Sequence, residues 1–370
     1  MKRCLCLFLL LSLLPFSRIA TVEAYAEEEL SLSAECAVLY DAANRRPLYG
    51  KNAEKRHPMA STTKIMTALV ALEELPLDTV ITVPREATGV EGSSVYLREG
   101  ERYTLEALLY ALLLQSANDA AEVIAHAVAG GLRPFAEKMN ERAAALGLTD
   151  THFENPHGLD GDEHYTTATE LAAIAAEALE NPDFFKIVST RRYIFTGIDG
   201  ENPRTLINHN KMLVLYDGAV GVKTGYTKKC GRCLVSAAER DGLLLVSVTL
   251  DAPSDWSDHE RLLDYGFAHY ESRLIAEAGA VSFTVPILNS TAAATVVNRD
   301  EIRLVIKREE PSPTPAFELL PFPVAPIKRG ALAGTVTYTA SDGVTASVPL
   351  VFSGDIPSPN QRKGWFGFGR

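Results

Sequence analysis

The chain has few cysteines, and their number excludes a complete disulfide framework. Two of its five cysteines, Cys4 and Cys6, lie in an N-terminal apolar segment. An odd number then remains, namely Cys36, Cys230 and Cys233, and it cannot pair fully. Cys230 and Cys233 have redox or zinc spacing, but no second pair or nearby histidine completes a four-ligand site. A turn followed by a strand is the simpler interpretation, and a Cys230–Cys233 disulfide stays open for an exported chain.

An excess of positive charge is also absent. Lys and Arg number 36 against 47 Asp and Glu, and the formal net charge is −11. Because phosphate binding needs a concentrated basic face, we exclude nucleic acid as a partner. The eight histidines show no ligand spacing, and we expect structural hydrogen bonds for His157 and His164. The sequence therefore predicts no metal and no other cofactor.

The N-terminal apolar run is too short to cross a bilayer. It extends from Cys4 to Phe16, whereas a spanning helix needs about 20 residues. Lys2 and Arg3 precede it, and Ala24-Tyr25-Ala26 supplies the small-x-small pattern that signal peptidases cut. We predict a cleaved signal peptide over residues 1–26 and an extracytoplasmic protein.

Two folded parts are predicted after the signal peptide. Residues 30–272 alternate strand-like runs with Ala/Leu-rich segments of helical spacing, as in Leu105–Leu113 and Leu171–Leu179, which indicates an α/β mixture. Within it, Asp241-Gly242 separates two apolar runs and predicts an antiparallel hairpin. Residues 274–352 show period-two alternation broken by prolines, and we predict a small β domain there.

The final segment, residues 353–370, is predicted to be a tail. Arg362, Lys363 and Arg370 alternate there with Trp365 and two phenylalanines, a mixture suited to a membrane surface. Glycines and prolines weaken any helix in this segment. An unstructured end is therefore the simpler interpretation, and peripheral membrane contact stays open.

The first chemical motif is Ser61-Thr62-Thr63-Lys64. Apolar residues with helical spacing follow it, so Ser61 opens a buried helix. Because residues three apart in a helix share a face, Ser61 and Lys64 point the same way, as a nucleophile and its base require. Burial would lower the pKa of such a lysine toward the working range. Taken alone, the motif is weak evidence for catalysis, because a hydroxyl that merely caps the helix is common at helix starts.

The second motif is Ser116-Ala117-Asn118, which interrupts two apolar segments. A loop between buried helices can present a hydroxyl and an amide to a cleft, where Ser116 would pass a proton and Asn118 would hold a substrate amide. In isolation, a helix-capping cluster explains the same residues.

The third motif is Lys223-Thr224-Gly225, in a strand-like run that leads into the hairpin. A strand edge with a cation, a hydroxyl and no side chain at Gly225 lets an extended peptide lie against the backbone. Lys223 and Thr224 could then receive a substrate carboxylate.

The order of the three motifs in an exported chain resembles the low-molecular-mass penicillin-binding proteins that act as serine D-alanyl-D-alanine carboxypeptidases, peptidase family S11. The resemblance extends from about Ala34 to Phe352 and includes Gly92-Ser93-Ser94 and Asn155-Pro156-His157-Gly158-Leu159. It implies a β-lactamase/transpeptidase-like α+β catalytic domain, with an antiparallel sheet and a helical subdomain, followed by a small all-β domain.

The resemblance also implies a role for each site residue. Ser61 attacks the carbonyl between two D-alanines, Lys64 is the general base and Ser116 assists proton transfer. Asn118 positions the peptide, Lys223 and Thr224 receive the terminal carboxylate, and the backbone N–H groups of Ser61 and Tyr226, beside Gly225, form the oxyanion hole. The implied partners are peptidoglycan stems ending in D-Ala-D-Ala and, as covalent inhibitors, β-lactams.

The sequence departs from the family pattern at one place near the site. Some members carry an Arg shortly before the helix that corresponds to Leu262-Leu263, and this chain has Asp255-Trp256-Ser257-Asp258-His259 instead. The sequence therefore leaves the details of carboxylate binding or gating open.

Three rival functions stay open at this level. A β-lactamase of class A needs a further glutamate for deacylation, and the one candidate, Glu137, lies in a regular helical run where a surface ion pair is expected. A non-catalytic wall-binding protein would be expected to lack Ser61 or Lys64. A DD-endopeptidase would use the same site on wall cross-links.

Overall fold

The computed structural model describes residues 30–200, 203–290 and 293–358. The predicted signal peptide and residues 359–370 of the predicted tail lie outside this part of the chain. Within it, no helix has both the length and the apolar character needed to cross a membrane.

The described part of the chain alternates helices and strands as far as residue 270 and then continues as strands. The helices are α1 (Lys64–Glu74), α2 (Leu105–Leu114), α3 (Asn118–Ala129), α4 (Leu132–Ala145), α5 (Ala168–Leu179), α6 (Pro182–Ser189), α7 (Met212–Leu215) and α8 (Asp255–His269). The strands of the first part are β1 (Cys36–Asp41), β2 (Arg46–Lys51), β3 (Val80–Thr82), β4 (Arg102–Thr104), β5 (Arg192–Phe195), β6 (Arg204–Ile207), β7 (Ala219–Thr227), β8 (Gly231–Arg240) and β9 (Leu243–Leu250). The remaining strands are β10 (Tyr270–Ala276), β11 (Ser282–Pro286), β12 (Ala293–Asn298), β13 (Ile302–Lys307), β14 (Pro315–Leu319), β15 (Leu332–Thr339) and β16 (Thr345–Phe352).

A five-stranded antiparallel sheet organises the first part, in the order β2-β1-β9-β8-β7. β8 and β9 form the predicted hairpin, and its turn residues Asp241 and Gly242 both have positive φ, at 52° and 76°, as a two-residue turn of this hand requires. β7 stands at one edge of the sheet. The antiparallel sheet with its helical subdomain is therefore confirmed, and among the described residues no further strand pairs with the outer edge of β7.

The helices with apolar spacing are confirmed and pack into one core with the sheet. α2 is buried along nearly its whole length, and α1, α3 and α5 contribute to the same core. Thr104 and Thr167 cap α2 and α5 by accepting backbone N–H groups through their side chains, which satisfies donors that a helix start leaves unpaired. Because α1 begins at Lys64 and is buried, its first turn is fixed inside the protein.

The second part has its own apolar core and a five-stranded antiparallel sheet of order β11-β12-β16-β15-β14. The described residues between 274 and 352 contain no α-helix, so the small β domain is confirmed as a fold class. Arg46 joins the two parts, because it pairs with Asp342 and its Nη2 donates to the Val305 carbonyl at 2.9 Å. The boundary between residues 272 and 274 stays a prediction.

A buried histidine ties α8 to the first sheet. The ring of His259 contacts the Ser247 hydroxyl through Nδ1 at 2.8 Å and the Thr249 hydroxyl through Nε2 at 3.0 Å. Burial lowers the pKa of His259 to about 3, and burial likewise lowers the pKa of His157 to about 3 and of His164 to about 4. Each ring therefore stays neutral in the folded protein under conditions in which the unfolded chain would protonate it.

This difference makes the stability of the protein depend on pH. Unfolding takes up protons between the folded and unfolded pKa values, so the stabilisation is complete above about pH 6.5 and is lost as the pH falls toward about 3. We expect His259→Asn to reduce the slope of unfolding free energy against pH by about 1.4 kcal/mol per pH unit between about pH 4.5 and 5.5. Urea unfolding at several pH values measures that slope. His126→Asn, outside the core, is the control, and equal slopes in wild type and His259→Asn would contradict the assignment.

Candidate active site

Ser61 lies in a tight turn that leads directly into α1. Residues Ala60–Thr63 form one 3₁₀ turn, and Ala60 has a positive φ of 47°, which is uncommon for a residue with a side chain. The loop that contains Gly158 packs against this turn so closely that a Cβ at Gly158 would lie 1.9 Å from the Ala60 carbonyl oxygen. The glycine therefore lets two backbones meet beside Ser61.

Lys64 is the first residue of α1 and is fully buried beneath Ser61. Its Nζ lies 2.9 Å from Ser61 Oγ, 2.7 Å from Asn118 Oδ1 and 2.5 Å from the His157 carbonyl oxygen. Ser61 Oγ also lies 3.5 Å from that carbonyl. Three segments that are distant in sequence thus converge on one nitrogen.

The surroundings of Lys64 favour its neutral form. Burial lowers its pKa far below the ordinary value, the charge of Lys223 lowers it further, and the carboxylate of Asp119 acts in the opposite direction. A neutral amine has two N–H donors and one lone pair. In the neutral form, Asn118 Oδ1 and the His157 carbonyl, which can only accept, would take both donors, and the lone pair would be left for the Ser61 hydroxyl.

Asn118 is held so that its oxygen, and not its nitrogen, faces Lys64. Its Nδ2 donates to the Glu91 carbonyl at 2.6 Å, and its backbone N donates to the Ser93 carbonyl at 2.7 Å. A Cβ at Gly92 would lie 2.8 Å from Asn118 Nδ2, so the Gly92-Ser93-Ser94 stretch packs directly on the amide. These contacts fix the side-chain orientation on which the lysine depends.

Ser116 lies in the link between α2 and α3, in a left-handed conformation with φ 60°. Its hydroxyl is buried and has no hydrogen-bond partner among the described residues, and the residue lines the same cleft as Ser61. Buried hydroxyls are nearly always paired. An unpaired hydroxyl beside a cleft is therefore available to a bound molecule.

The third motif lies on the edge strand β7, against the nucleophile. Lys223 is buried, its Nζ donates to the Thr224 carbonyl at 2.8 Å, and burial lowers its pKa to about 7. Tyr226 has an exposed side chain. A Cβ at Gly225 would lie 3.1 Å from both the Ser61 nitrogen and the Met59 carbonyl oxygen, so the strand reaches the Ser61 backbone because position 225 has no side chain.

The predicted site residues surround one cleft of about 710 Å³. Ser61, Ser116, Thr224, Gly225 and Tyr226 line it, while Lys64, Asn118 and Lys223 are buried around it. The structure therefore brings together all three motifs, as the sequence required. The other lining residues are Ser93, Ile207, Asn208, His209, Lys211, Val214, Arg232, Asp255 and Trp256.

Sequence reasoning missed the contribution of the segment around His157. Its carbonyl is an acceptor for Lys64 and Ser61, a backbone role that no side-chain pattern reveals. The structural hydrogen bonds expected for the two histidines are present, since His164 Nε2 contacts Thr63 Oγ1 at 2.8 Å and His157 Nδ1 accepts from the Leu159 N–H at 3.2 Å. The Asn-Pro-His-Gly-Leu stretch was the available signal, and it carried no assigned role.

Three potential metal ligands meet outside the cleft, although no histidine showed ligand spacing in the sequence. Ligand atoms of Glu35, His57 and Asp251 all lie within 4.8 Å of one another. The ammonium of Lys55 already pairs with Glu35, so the charge of this carboxylate is balanced by a side chain.

The remaining candidates are settled by their surroundings. Cys36, Cys230 and Cys233 are free, buried thiols, so the structure has no Cys230–Cys233 disulfide. Glu137 is exposed and its Oε1 pairs with Arg133 Nε at 3.2 Å, one helical turn away. It is the surface ion pair that the sequence predicted, and it lies in α4 and does not line the cleft.

Comparison with known proteins gives consistent similarities. A family model described as D-alanyl-D-alanine carboxypeptidase matches residues 22–254. The D-alanyl-D-alanine carboxypeptidase DacF of Bacillus subtilis is 29% identical over 371 residues, which cover 96% of this chain and 95% of that protein. The D-alanyl-D-alanine carboxypeptidase DacB2 of Mycobacterium tuberculosis is 37% identical over 243 residues, 64% of this chain and 82% of that protein.

Among solved structures, penicillin binding protein 5 from Haemophilus influenzae has a TM-score of 0.72 at 26% identity and covers 89% of this chain and 99% of its own. The family model spans all three motifs, from before Ser61 to beyond Gly225. These similarities do not favour the endopeptidase or β-lactamase alternatives. The chain belongs to peptidase family S11, the D-alanyl-D-alanine carboxypeptidases, and is a serine hydrolase of the low-molecular-mass penicillin-binding type.

Proposed function

We propose that this enzyme removes the terminal D-alanine from peptidoglycan pentapeptides through an acyl-enzyme on Ser61. The observation that carries the proposal is the 2.9 Å contact between Ser61 Oγ and the buried Nζ of Lys64. A serine hydroxyl becomes a nucleophile only when a base removes its proton. A neutral amine within hydrogen-bond distance, with its lone pair directed at the hydroxyl, is such a base.

Acylation then follows from the geometry around these two residues. Lys64 takes the hydroxyl proton as Ser61 Oγ forms a bond to the carbonyl carbon between the two D-alanines. The backbone N–H groups of Ser61 and Tyr226 stabilise the oxyanion, and the close approach of Gly225 to the Ser61 nitrogen supports this pairing. Asn118 holds the peptide amide and orients Lys64.

The leaving group needs a proton as the C–N bond breaks. Ser116 lines the cleft and has no hydrogen-bond partner among the residues described, so its hydroxyl can relay the proton from Lys64 to the departing D-alanine amine. Lys64, neutral again, takes a proton from the water that attacks the acyl carbon. The bond between that carbon and Ser61 Oγ breaks, the shortened peptide leaves as the acid, and the proton on Lys64 returns to Ser61 Oγ. Thr224 and Lys223 receive the terminal carboxylate before cleavage.

The partners and location follow from the same chemistry. The substrate is a peptidoglycan stem ending in D-Ala-D-Ala, and β-lactams acylate Ser61 as covalent inhibitors. An enzyme with this substrate acts outside the cytoplasm, in agreement with the signal peptide predicted over residues 1–26. A peripheral contact of the tail with the outer face of the cytoplasmic membrane is part of the proposal, and the basic and aromatic residues of 362–370 support it.

The first prediction concerns the nucleophile. Ser61→Ala should lower D-alanine release from a defined pentapeptide by at least about 10³-fold, because no covalent intermediate can form. The melting temperature should change little, since the Ser61 hydroxyl has only two contacts among the described residues, with Lys64 Nζ at 2.9 Å and with the His157 carbonyl at 3.5 Å. Covalent labelling by a fluorescent penicillin should be lost in parallel. Undiminished release by Ser61→Ala would reject the nucleophile.

The second prediction concerns the base. Lys64→Met keeps most of the buried volume but removes the lone pair, and it should slow penicillin acylation by about 10²–10⁴-fold. Stopped-flow labelling measures the rate. Lys138→Met, on the surface, is the matched control and should acylate normally. Normal acylation by Lys64→Met would show that another group activates Ser61.

The third prediction concerns the close approach of β7. Gly225→Ala places a Cβ 3.1 Å from the Ser61 nitrogen, so the strand must move away and the oxyanion donors must separate. Because one such donor is worth about 10²–10³ in rate, we expect kcat/KM to fall at least about tenfold. Gly354→Ala, where the added Cβ would meet nothing within 4 Å, is the control. Equal kcat/KM for both variants would contradict the role of the strand.

A further inference from the structure

The cleft contains a cation that the proposed reaction does not yet use. Arg232 lies on β8 and lines the same cleft as Ser61 and Thr224. Its side chain is 46% exposed, whereas the two motif lysines are buried. A guanidinium keeps its charge at any pH of interest, so it offers a permanent positive charge where a bound peptide would lie.

Lys223 is poorly placed to be the sole partner of a substrate carboxylate. It is 1% exposed and its Nζ donates to the backbone carbonyl of Thr224. It does not line the cleft, and burial brings its pKa to about 7. Part of the population would therefore be uncharged near neutral pH. The cations that line the cleft, among the residues described, are Lys211 and Arg232.

The strand register places Arg232 next to the carboxylate position. Thr224 pairs with Leu234, and Tyr226 pairs with Arg232 on the neighbouring strand. Because alternate residues of a strand share a face, Thr224 and Arg232 are diagonal neighbours on one face. Such neighbours are about 7–8 Å apart at Cα, a distance that a long side chain can cross.

Asp255 fixes the direction of the guanidinium. Its Oδ2 accepts from Arg232 Nε at 3.0 Å and lies 2.9 Å from Nη2, while its Oδ1 accepts from the Trp256 N–H at 3.0 Å. The Asp255 side chain is only 5% exposed, whereas that of Arg232 is 46% exposed. Nη1 is left outside this pair. Both residues line the cleft, and the guanidinium is the more accessible member of the pair.

We propose that Arg232, positioned by Asp255, binds the terminal carboxylate of the peptide together with the Thr224 hydroxyl. The inference rests on the proposed carboxypeptidase function and adds its specificity for a free C-terminus. It also gives a physical role to Asp255, which occupies the stretch where some family members carry an arginine. In this chain the guanidinium comes from β8, and the segment before α8 supplies its anchor.

The test compares an N-acylated L-Lys-D-Ala-D-Ala peptide with the same peptide as its C-terminal amide. The wild-type enzyme should prefer the free acid in kcat/KM by at least about tenfold, because a hydrogen bond to a charged group is lost with the amide. Arg232→Gln should lower this acid-to-amide ratio about tenfold or more, mainly through the acid. Arg232→Lys keeps the charge but lacks the planar set of donors, so it should retain part of the acid preference. Asp255→Asn should lower the acid-to-amide ratio less than Arg232→Gln does.

Lys228→Gln is the matched control, since it removes one positive charge from an exposed position in the turn between β7 and β8. Its ratio should equal that of the wild type. Both kcat/KM values are measured on one enzyme sample. Partial unfolding therefore lowers both by the same factor and leaves their ratio unchanged. If Arg232→Gln yields no folded enzyme, Arg232→Met, which also removes the charge, takes its place with the same expected loss of the ratio.

The outcomes separate this inference from the proposed function. A wild-type enzyme that releases no D-alanine from either peptide rejects the proposed function itself. A wild-type enzyme that is active but shows no preference for the acid rejects only the carboxylate contact. An acid-to-amide ratio in Arg232→Gln within about twofold of the wild type also rejects it. Loss of this preference in a variant whose melting temperature matches that of the wild type supports it.

Discussion

The site depends on one lysine that is deprived of water. Lys64 lies at the start of a buried helix, and burial together with the nearby charge of Lys223 disfavours its charged form. Once neutral, the amine can give its two donors to Asn118 Oδ1 and the His157 carbonyl and keep its lone pair for Ser61. The reactivity of Ser61 follows from this arrangement and not from any property of the serine alone. The helices α1 and α3 and the loop at His157 are the framework that keeps water away from one nitrogen.

The edge strand β7 provides the second requirement, a surface on which a peptide can lie. It is the last strand of the five-stranded sheet, so its outer side is free to hold an extended chain. Gly225 lets this edge approach the Ser61 nitrogen, and Arg232 and Asp255 close the same end of the cleft from the neighbouring strand and from α8. A buried base and an open strand edge therefore meet at one hydroxyl, which is the combination that peptide acyl transfer needs.

Much of this arrangement could be predicted from local sequence. Helical spacing located α1, α2 and α5, and the Asp241-Gly242 pair located the hairpin. The three motifs supplied the groups to which the proposed reaction assigns chemistry, although most of the residues that line the cleft lie outside them. The rest depends on contacts between residues far apart and on backbone atoms. The Lys64–His157 bond joins residues 93 positions apart and uses a carbonyl that every residue possesses. Arg232 gave no signal because its meaning comes from its register opposite Tyr226 and from Asp255, 23 residues later.

The protonation state of Lys64 is the most direct test of the central claim. Enzyme labelled with ¹³C at the lysine Cε positions can be titrated by NMR, with the Lys64 signal identified by its absence in the Lys64→Met variant. The structure predicts a titration midpoint well below the ordinary value of 10.5, and it predicts that an exposed residue such as Lys138 titrates well above Lys64. A Lys64 signal that titrates near 10.5 would mean that the amine is charged in the resting enzyme, and the proposed base would have no lone pair to offer.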